Sequence, residues 1–221
     1  MKELKGVIFD MDGTMVDNAE FHKKAWLKFL KKHDIEMSEK EYHKKLFGRT
    51  SKEIMRIVFD RELSAEELEA YSQEKEQTYR DLYKGRLRSL PGLENLLREL
   101  QLQRIKLAVA TSSISKNLIF TLKELRIEKF FNVTTNSSEI ANSKPNPEIF
   151  LKTARDLGLD PEECLVFEDS PSGLEAASRA GMTLVAINPS DKDKAEEFTE
   201  YIFPDFKDLN YKKLLEIREQ E

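Results

Sequence analysis

Apolar positions along this 221-residue chain recur in two textures. Near the start, a short unbroken run, Val7-Ile8-Phe9, stops at Asp10-Met11-Asp12-Gly13. A run so short and wholly apolar reads as a strand buried on both faces. Over residues 18–83 the apolar spacing lengthens to three and four. A first helix over about 18–33 then places Phe21, Ala25, Trp26, Phe29 and Leu30 on one face. All seven prolines lie at or after Pro91, and only Gly48 and Gly85 fall between Gly13 and Pro91. Three capping boxes punctuate this stretch: Ser38-x-x-Glu41, Thr50-x-x-Glu53 and Ser64-x-x-Glu67. In each, a hydroxyl can satisfy an orphan N–H while the glutamate reaches back. The expectation for 18–83 is four helices and no strand.

From Pro91 the texture changes. Helix-like GLENLLREL precedes strand-like IKLAVATSS. Then follow helix KNLIFTLKEL, a short strand near Val133, helix PEIFLKTARDLG, strand CLVFEDS, helix SGLEAASRAG and strand TLVAI. Helices alternating with short apolar strands indicate a parallel sheet covered on both faces. The simplest organisation is one α/β core, residues 1–15 and 88–221, interrupted after its first strand by an all-helical cap, residues 16–87.

Three of the strands end in polar residues. The first ends at Asp10 with Asp12 just beyond, the second at Thr111-Ser112-Ser113, and another at Glu168-Asp169-Ser170. In open α/β sheets, ligands bind outside the carboxyl ends of the strands, so parallel neighbours would gather these groups in one crevice. Asp10, Asp12, Glu168 and Asp169 would then bring about four negative charges together. Each pair at ~4 Å repels by roughly 4 kcal/mol at an effective dielectric of 20. A hard divalent cation with oxygen ligands, Mg²⁺, is the natural compensation. The three histidines, His22, His33 and His43, all lie in the helical segment, so no zinc cluster is indicated. Thr111 and Ser112 suit an anion, offering hydroxyls and main-chain amides at a strand end. Lys144, in SKPNPEIF, adds a positive charge. Metal, amide donors and ammonium around an anion describe a phosphoryl-transfer site. One carboxylate can serve as covalent nucleophile, and the one two residues on can protonate the leaving oxygen and later activate water.

Composition changes this picture little. With 39% hydrophobic and 35% charged residues, there is material for a core under a polar surface. The net charge of −5 gives no basic footprint for nucleic acid. Residues 18–89 carry 17 Lys+Arg against 14 Asp+Glu, read as solvated helix faces. One cysteine, Cys164, allows no internal disulfide and lies in an apolar run as a core residue; a reducing cytoplasmic setting is expected. No signal peptide is expected from the short apolar stretch of MKELKGVIFD, and no run reaches the ~18 apolar residues of a membrane span.

Taken in order, Asp10-Met11-Asp12-Gly13-Thr14, Thr111, Lys144 and Glu168-Asp169 resemble the four signatures of the haloacid dehalogenase superfamily of phosphotransferases. The resemblance covers the whole chain. It implies a Rossmann-like core with a helical cap inserted after the first strand. It also implies Asp10 as nucleophile and Asp12 as general acid/base, with Mg²⁺ held by Asp10, the Asp12 carbonyl and Asp169, and Glu168 acting through metal-bound water. True dehalogenases of the superfamily lack the second aspartate and the metal, so Asp12 argues against dehalogenation. DNAEFHKKAW, with His22, Ala25 and Trp26, is similar to the matching stretch of β-phosphoglucomutases, whose cap loop corresponds to Phe47-Gly48-Arg49-Thr50. There the mutases' lysine is absent. The resemblance therefore implies a Mg²⁺-dependent phosphatase of small phosphorylated metabolites, sugar phosphates foremost, with a phosphosugar mutase as the alternative. His22, Gly48 and Arg49 would contact the substrate, and the expected form is a monomer.

Overall fold

The computed structural model describes residues 3–46 and 51–220. The chain divides into two compact units: Met1–Asp17 with Leu87–Glu221, and Asn18–Arg86 between them.

The first unit is built on six parallel strands: β1 (Gly6–Phe9), β2 (Lys106–Ala110), β3 (Val133–Thr135), β4 (Cys164–Glu168), β5 (Thr183–Ile187) and β6 (Ile202–Phe203). Their spatial order is β3-β2-β1-β4-β5-β6. The first strand in sequence is thus central, with β2 and β4 on its two sides. The register sets Phe9 beside Val109 and Phe167, so β1 and β4 turn polar at one level, at Asp10 and Glu168, and β2 one residue later, at Thr111. This is the covered parallel sheet that the alternating pattern predicts and the Rossmann-like core that the resemblance implies.

Each face of the sheet has its own helices. Val7 and Phe9 face Leu93, Leu96 and Leu97 of α5 (Leu93–Leu102) and Leu118 and Leu122 of α6 (Ser115–Leu125). Ile8 points the other way, toward Ile149 and Phe150 of α7 (Glu148–Leu157) and Ala176 and Ala177 of α8 (Pro171–Arg179). The period of two along β1 makes that division, and each fully buried large side chain contributes about 1.5–3 kcal/mol. After β5 comes the short helix α9 (Lys192–Glu196), and a last helix, α10 (Tyr211–Gln220), joins the first face through Leu214 and Ile217. Its buried Arg218 donates to the main-chain oxygens of Glu162, at 2.6 Å, and Cys164, at 3.5 Å. No element is expected there from the apolar pattern, because YKKLLEIREQ is short and half charged. Cys164 is buried in the second face.

The second unit is helical: α1 (Ala19–Lys32), α2 (Glu39–Lys45), α3 (Ser51–Phe59) and α4 (Ala65–Tyr83). The capping boxes at Ser38 and Ser64 both form, each glutamate bonding back to its serine N–H. Thr50, the third, lies outside the described residues. Trp26, Phe29 and Leu30 of α1 close a core with Tyr42, Leu46, Ile54 and Met55. Phe21 is half-buried and stacks on Tyr83 at 4.0 Å. Among the described residues, no helix is long and apolar enough to cross a membrane.

Candidate active site

At the carboxyl end of β1, Asp10 is buried, and Lys144 reaches it from the loop before α7. The Lys144 ammonium donates to Asp10 Oδ1 at 2.6 Å and to Glu168 Oε1 at 2.7 Å, with a longer bond to the Ala110 carbonyl at 3.3 Å. It also lies over the Phe150 ring. Residues from three adjacent strands and a fourth segment thus meet where β1, β2 and β4 end. The Lys144 side chain is only 5% exposed and that of Glu168 1%. One ammonium therefore serves two buried carboxylates. Burial works against the Lys144 charge, but Asp10 and Glu168 overcome it and hold the ammonium above its ordinary range. Burial pushes Asp10 up to about 8, against the opposing pull of Lys144, and the Glu168 and Asp12 charges push the same way.

Asp169 completes the acidic group. Burial, then the charges of Glu168 and Asp10, hold it well above the usual carboxylate range, although the Thr14 hydroxyl donates to its Oδ1 at 3.1 Å. Its carboxylate lies against Gly13, where φ is +89° and an added Cβ would come within 2.2 Å of Asp169 Oδ2. Only glycine permits both that dihedral and that approach. The Asn188 amide, from the turn after β5, donates to the Gly13 carbonyl at 3.3 Å.

Among the described residues, no three His, Cys, Asp or Glu side chains converge as a ready metal-binding group. The donor set still suits Mg²⁺, which keeps several waters and is commonly bound through one or two carboxylates. Asp10 and Asp169 are hard oxygen donors, both raised by burial and by their neighbours' charge, and Lys144 alone does not balance them. Glu168, expected to act through metal-bound water, has both of its oxygens engaged by protein groups. Its Oε1 accepts from Lys144, while its Oε2 accepts from the Asp169 and Ser170 amides, both at 2.7 Å, and from the Ser170 hydroxyl at 3.0 Å. A Cβ on Gly173 would lie 1.7 Å from Oε1, so the carboxylate is seated against the first turn of α8. Its engagements make it an anchor for Lys144 and for the loop after β4.

At the end of β2, Thr111 is buried, its amide bonded to the Thr135 carbonyl at 3.0 Å. Ser112 is exposed. Ser113, to which the sequence alone gives no role, donates its hydroxyl to Asp12 Oδ2. Thr14 and Ser113 lie within or directly beside the motifs, and that adjacency is the only signal that could have singled them out.

A family model described as haloacid dehalogenase-like hydrolase matches residues 7–187, most of the chain. The chain belongs to this family. A phosphorylated carbohydrates phosphatase of Thermotoga maritima is 31% identical over 179 residues, covering 81% of this chain and 82% of that protein. A β-phosphoglucomutase of Bacillus subtilis is 30% identical over 191 residues, covering 83% of each. A crystal structure of a HAD hydrolase, family IA, variant 3, from Entamoeba histolytica superposes with a TM-score of 0.89 at 27% identity, covering 97% of this chain and 99% of that one.

In this haloacid dehalogenase-like hydrolase the helical unit carries its own polar cluster. His22, half-buried in α1, stacks on Tyr79 at 4.0 Å and accepts at Nδ1 from Lys75 Nζ at 2.9 Å. Burial, then the Lys75 charge, holds His22 well below the usual imidazole range, so it is neutral near pH 7. Lys75, 3% exposed, also pairs with Glu76 at 2.7 Å and lies over Trp26. Nothing in the sequence marks Lys75, because a lysine in a charged helix reads as surface. Gly48 and Arg49 lie outside the described residues. Lys75→Met removes the ammonium beside largely buried Glu76 and His22. It should cost about 3 kcal/mol, read as a lower urea midpoint at unchanged slope.

Proposed function

We propose that the chain is a phosphoric monoester hydrolase of small phosphorylated metabolites, with sugar phosphates as the substrate class, acting through a covalent aspartyl-phosphate. The observation that carries this reading is the meeting of Asp10, Lys144 and Glu168 at the end of the central strand, with Asp12 two residues beyond. A buried carboxylate held at one oxygen by an ammonium keeps its other oxygen for attack. The Thermotoga maritima relative's name supports the choice of sugar phosphates.

Asp10, Asp169 and the Asp12 carbonyl would hold Mg²⁺, which when bound neutralises the carboxylates and the phosphoryl oxygens. An Asp10 oxygen attacks phosphorus, and the bond from phosphorus to the substrate oxygen breaks. Asp12 gives its proton to that departing oxygen. In the second half, Asp12 takes a proton from water as the water oxygen attacks phosphorus. The Asp10–phosphorus bond breaks, phosphate leaves, and both aspartates return to their starting states. Thr111 and Ser112 are assigned to the phosphoryl oxygens, and Lys144 offsets charge on Asp10 and on the group it receives. The helical unit, inserted between the first two strands, is assigned to substrate choice, with His22 as its contact.

A phosphosugar mutase is the second reading, favoured by DNAEFHKKAW and the Bacillus subtilis relative. It uses the same intermediate but returns the phosphoryl group to a second sugar hydroxyl. A panel of phosphorylated sugars and small polyol phosphates, assayed with Mg²⁺ for free phosphate and for isomers, decides. Free phosphate without isomerisation, lost on chelation, is the expected result. Isomerisation without phosphate release would establish the mutase, and no turnover on the panel would remove both.

A further inference from the structure

Asp12 is half-buried and forms an isolated bridge with Val16 across the turn at residues 13–15. Ser113 is held through its main chain on both sides. Its amide donates to Thr111 Oγ1 at 3.1 Å, and its carbonyl accepts from the Ser137 amide at 3.1 Å. Thr111 is in turn bonded through its amide to the end of β3 at Thr135. From this frame the Ser113 hydroxyl donates to Asp12 Oδ2, joining the loop after β2 to the loop after β1. The two residues are 101 positions apart in sequence.

We infer that Ser113 is a positioning residue for Asp12: its hydroxyl, fixed by the ends of β2 and β3, orients the Asp12 carboxylate for proton transfer. The inference rests on the proposed role of Asp12 as acid/base. Ser113 keeps its own proton throughout and touches neither phosphorus nor the leaving oxygen. Its effect comes from restricting rotamers, because a misplaced proton donor costs rate far more than binding. The same arrangement leaves the Thr111 side chain its own proton to donate, since Thr111 Oγ1 is only an acceptor toward Ser113.

The test is a double-mutant cycle on hydrolysis of p-nitrophenyl phosphate with Mg²⁺, using full-length protein. Ser113→Ala should lower kcat about tenfold while KM stays within about twofold. Ser113→Thr, which keeps a hydroxyl on the same carbon, should restore most of the loss. In an Asp12→Asn background, Ser113→Ala should cause no further fall, because the group it orients is already disabled. An equal loss in both backgrounds, or a threonine as poor as alanine, overturns the inference and leaves the Asp12 assignment standing. Full activity in Asp12→Asn alone overturns the assignment and the inference with it. Circular dichroism and the urea midpoint, unchanged in Ser113→Ala, separate positioning from folding.

Discussion

Asp10→Asn should reduce phosphate release by at least about 10⁴-fold while the protein remains folded. The amide nitrogen and oxygen fill the space of the carboxylate but offer no nucleophile. The variant should also show an opposite effect on stability. Without divalent cation, burial raises the Asp10 pKa to about 8 in the fold, against an ordinary value of 3.8. The folded state then binds more protons than the unfolded chain across that interval, so this contribution to stability falls as pH rises from about 4 to about 8. Asp169, raised for the same reason, acts in the same direction. The substituted amide does not titrate, so the variant's decline should be shallower. In chelator at pH 8 it should be at least as stable as wild type, the difference closing as pH falls toward 4. Thermal melts across this range, with and without Mg²⁺, measure it. Undiminished turnover in purified Asp10→Asn would falsify the nucleophile assignment.

Lys144→Met should be the most damaging substitution for folding and should also lower turnover by about 10²–10³-fold. The ammonium is the charge shared between Asp10 and Glu168. Without it, two buried carboxylates remain near each other, a change that typically costs about 3–5 kcal/mol. Phe150 also loses its cation partner. The cost should shrink as pH falls, since protonating either carboxylate removes the repulsion. Denaturant midpoints at pH 5 and pH 8 test this: a loss equal at both values would mean that Lys144 acts by packing alone. The paired substitution Lys144→Met with Glu168→Gln should recover part of the stability at pH 8 but little of the activity.

Much of this architecture is legible in residue order. Val7-Ile8-Phe9 is short and wholly apolar, and only a strand covered on both faces suits it; the strand proves central. Ser38 and Ser64 mark helix starts because the hydroxyl and the glutamate three residues on each accept from an orphan N–H locally. Helix α10 is not legible, since its apolar residues are few and its stability comes from Leu214 and Ile217 meeting distant partners. Lys75 escapes for a related reason: a lysine's surroundings are a property of the fold, and its neighbours His22 and Trp26 come from another helix.

The motifs announce which chemical groups take part, because a strand that ends in carboxylates, hydroxyls or a glycine turn is a local pattern. They do not announce orientation. Asp10, Glu168 and Asp169 look equivalent as acids in the chain, yet Asp10 and Glu168 share Lys144, Glu168 alone also takes the amides of its own loop, and Asp169 lies against Gly13 and the Thr14 hydroxyl. Residue order carries the inventory and the strand periodicity, since both depend on near neighbours. Which acid faces an ammonium, which faces a glycine and which meets Ser113 depends on strand order and register, since those bring together groups more than a hundred residues apart.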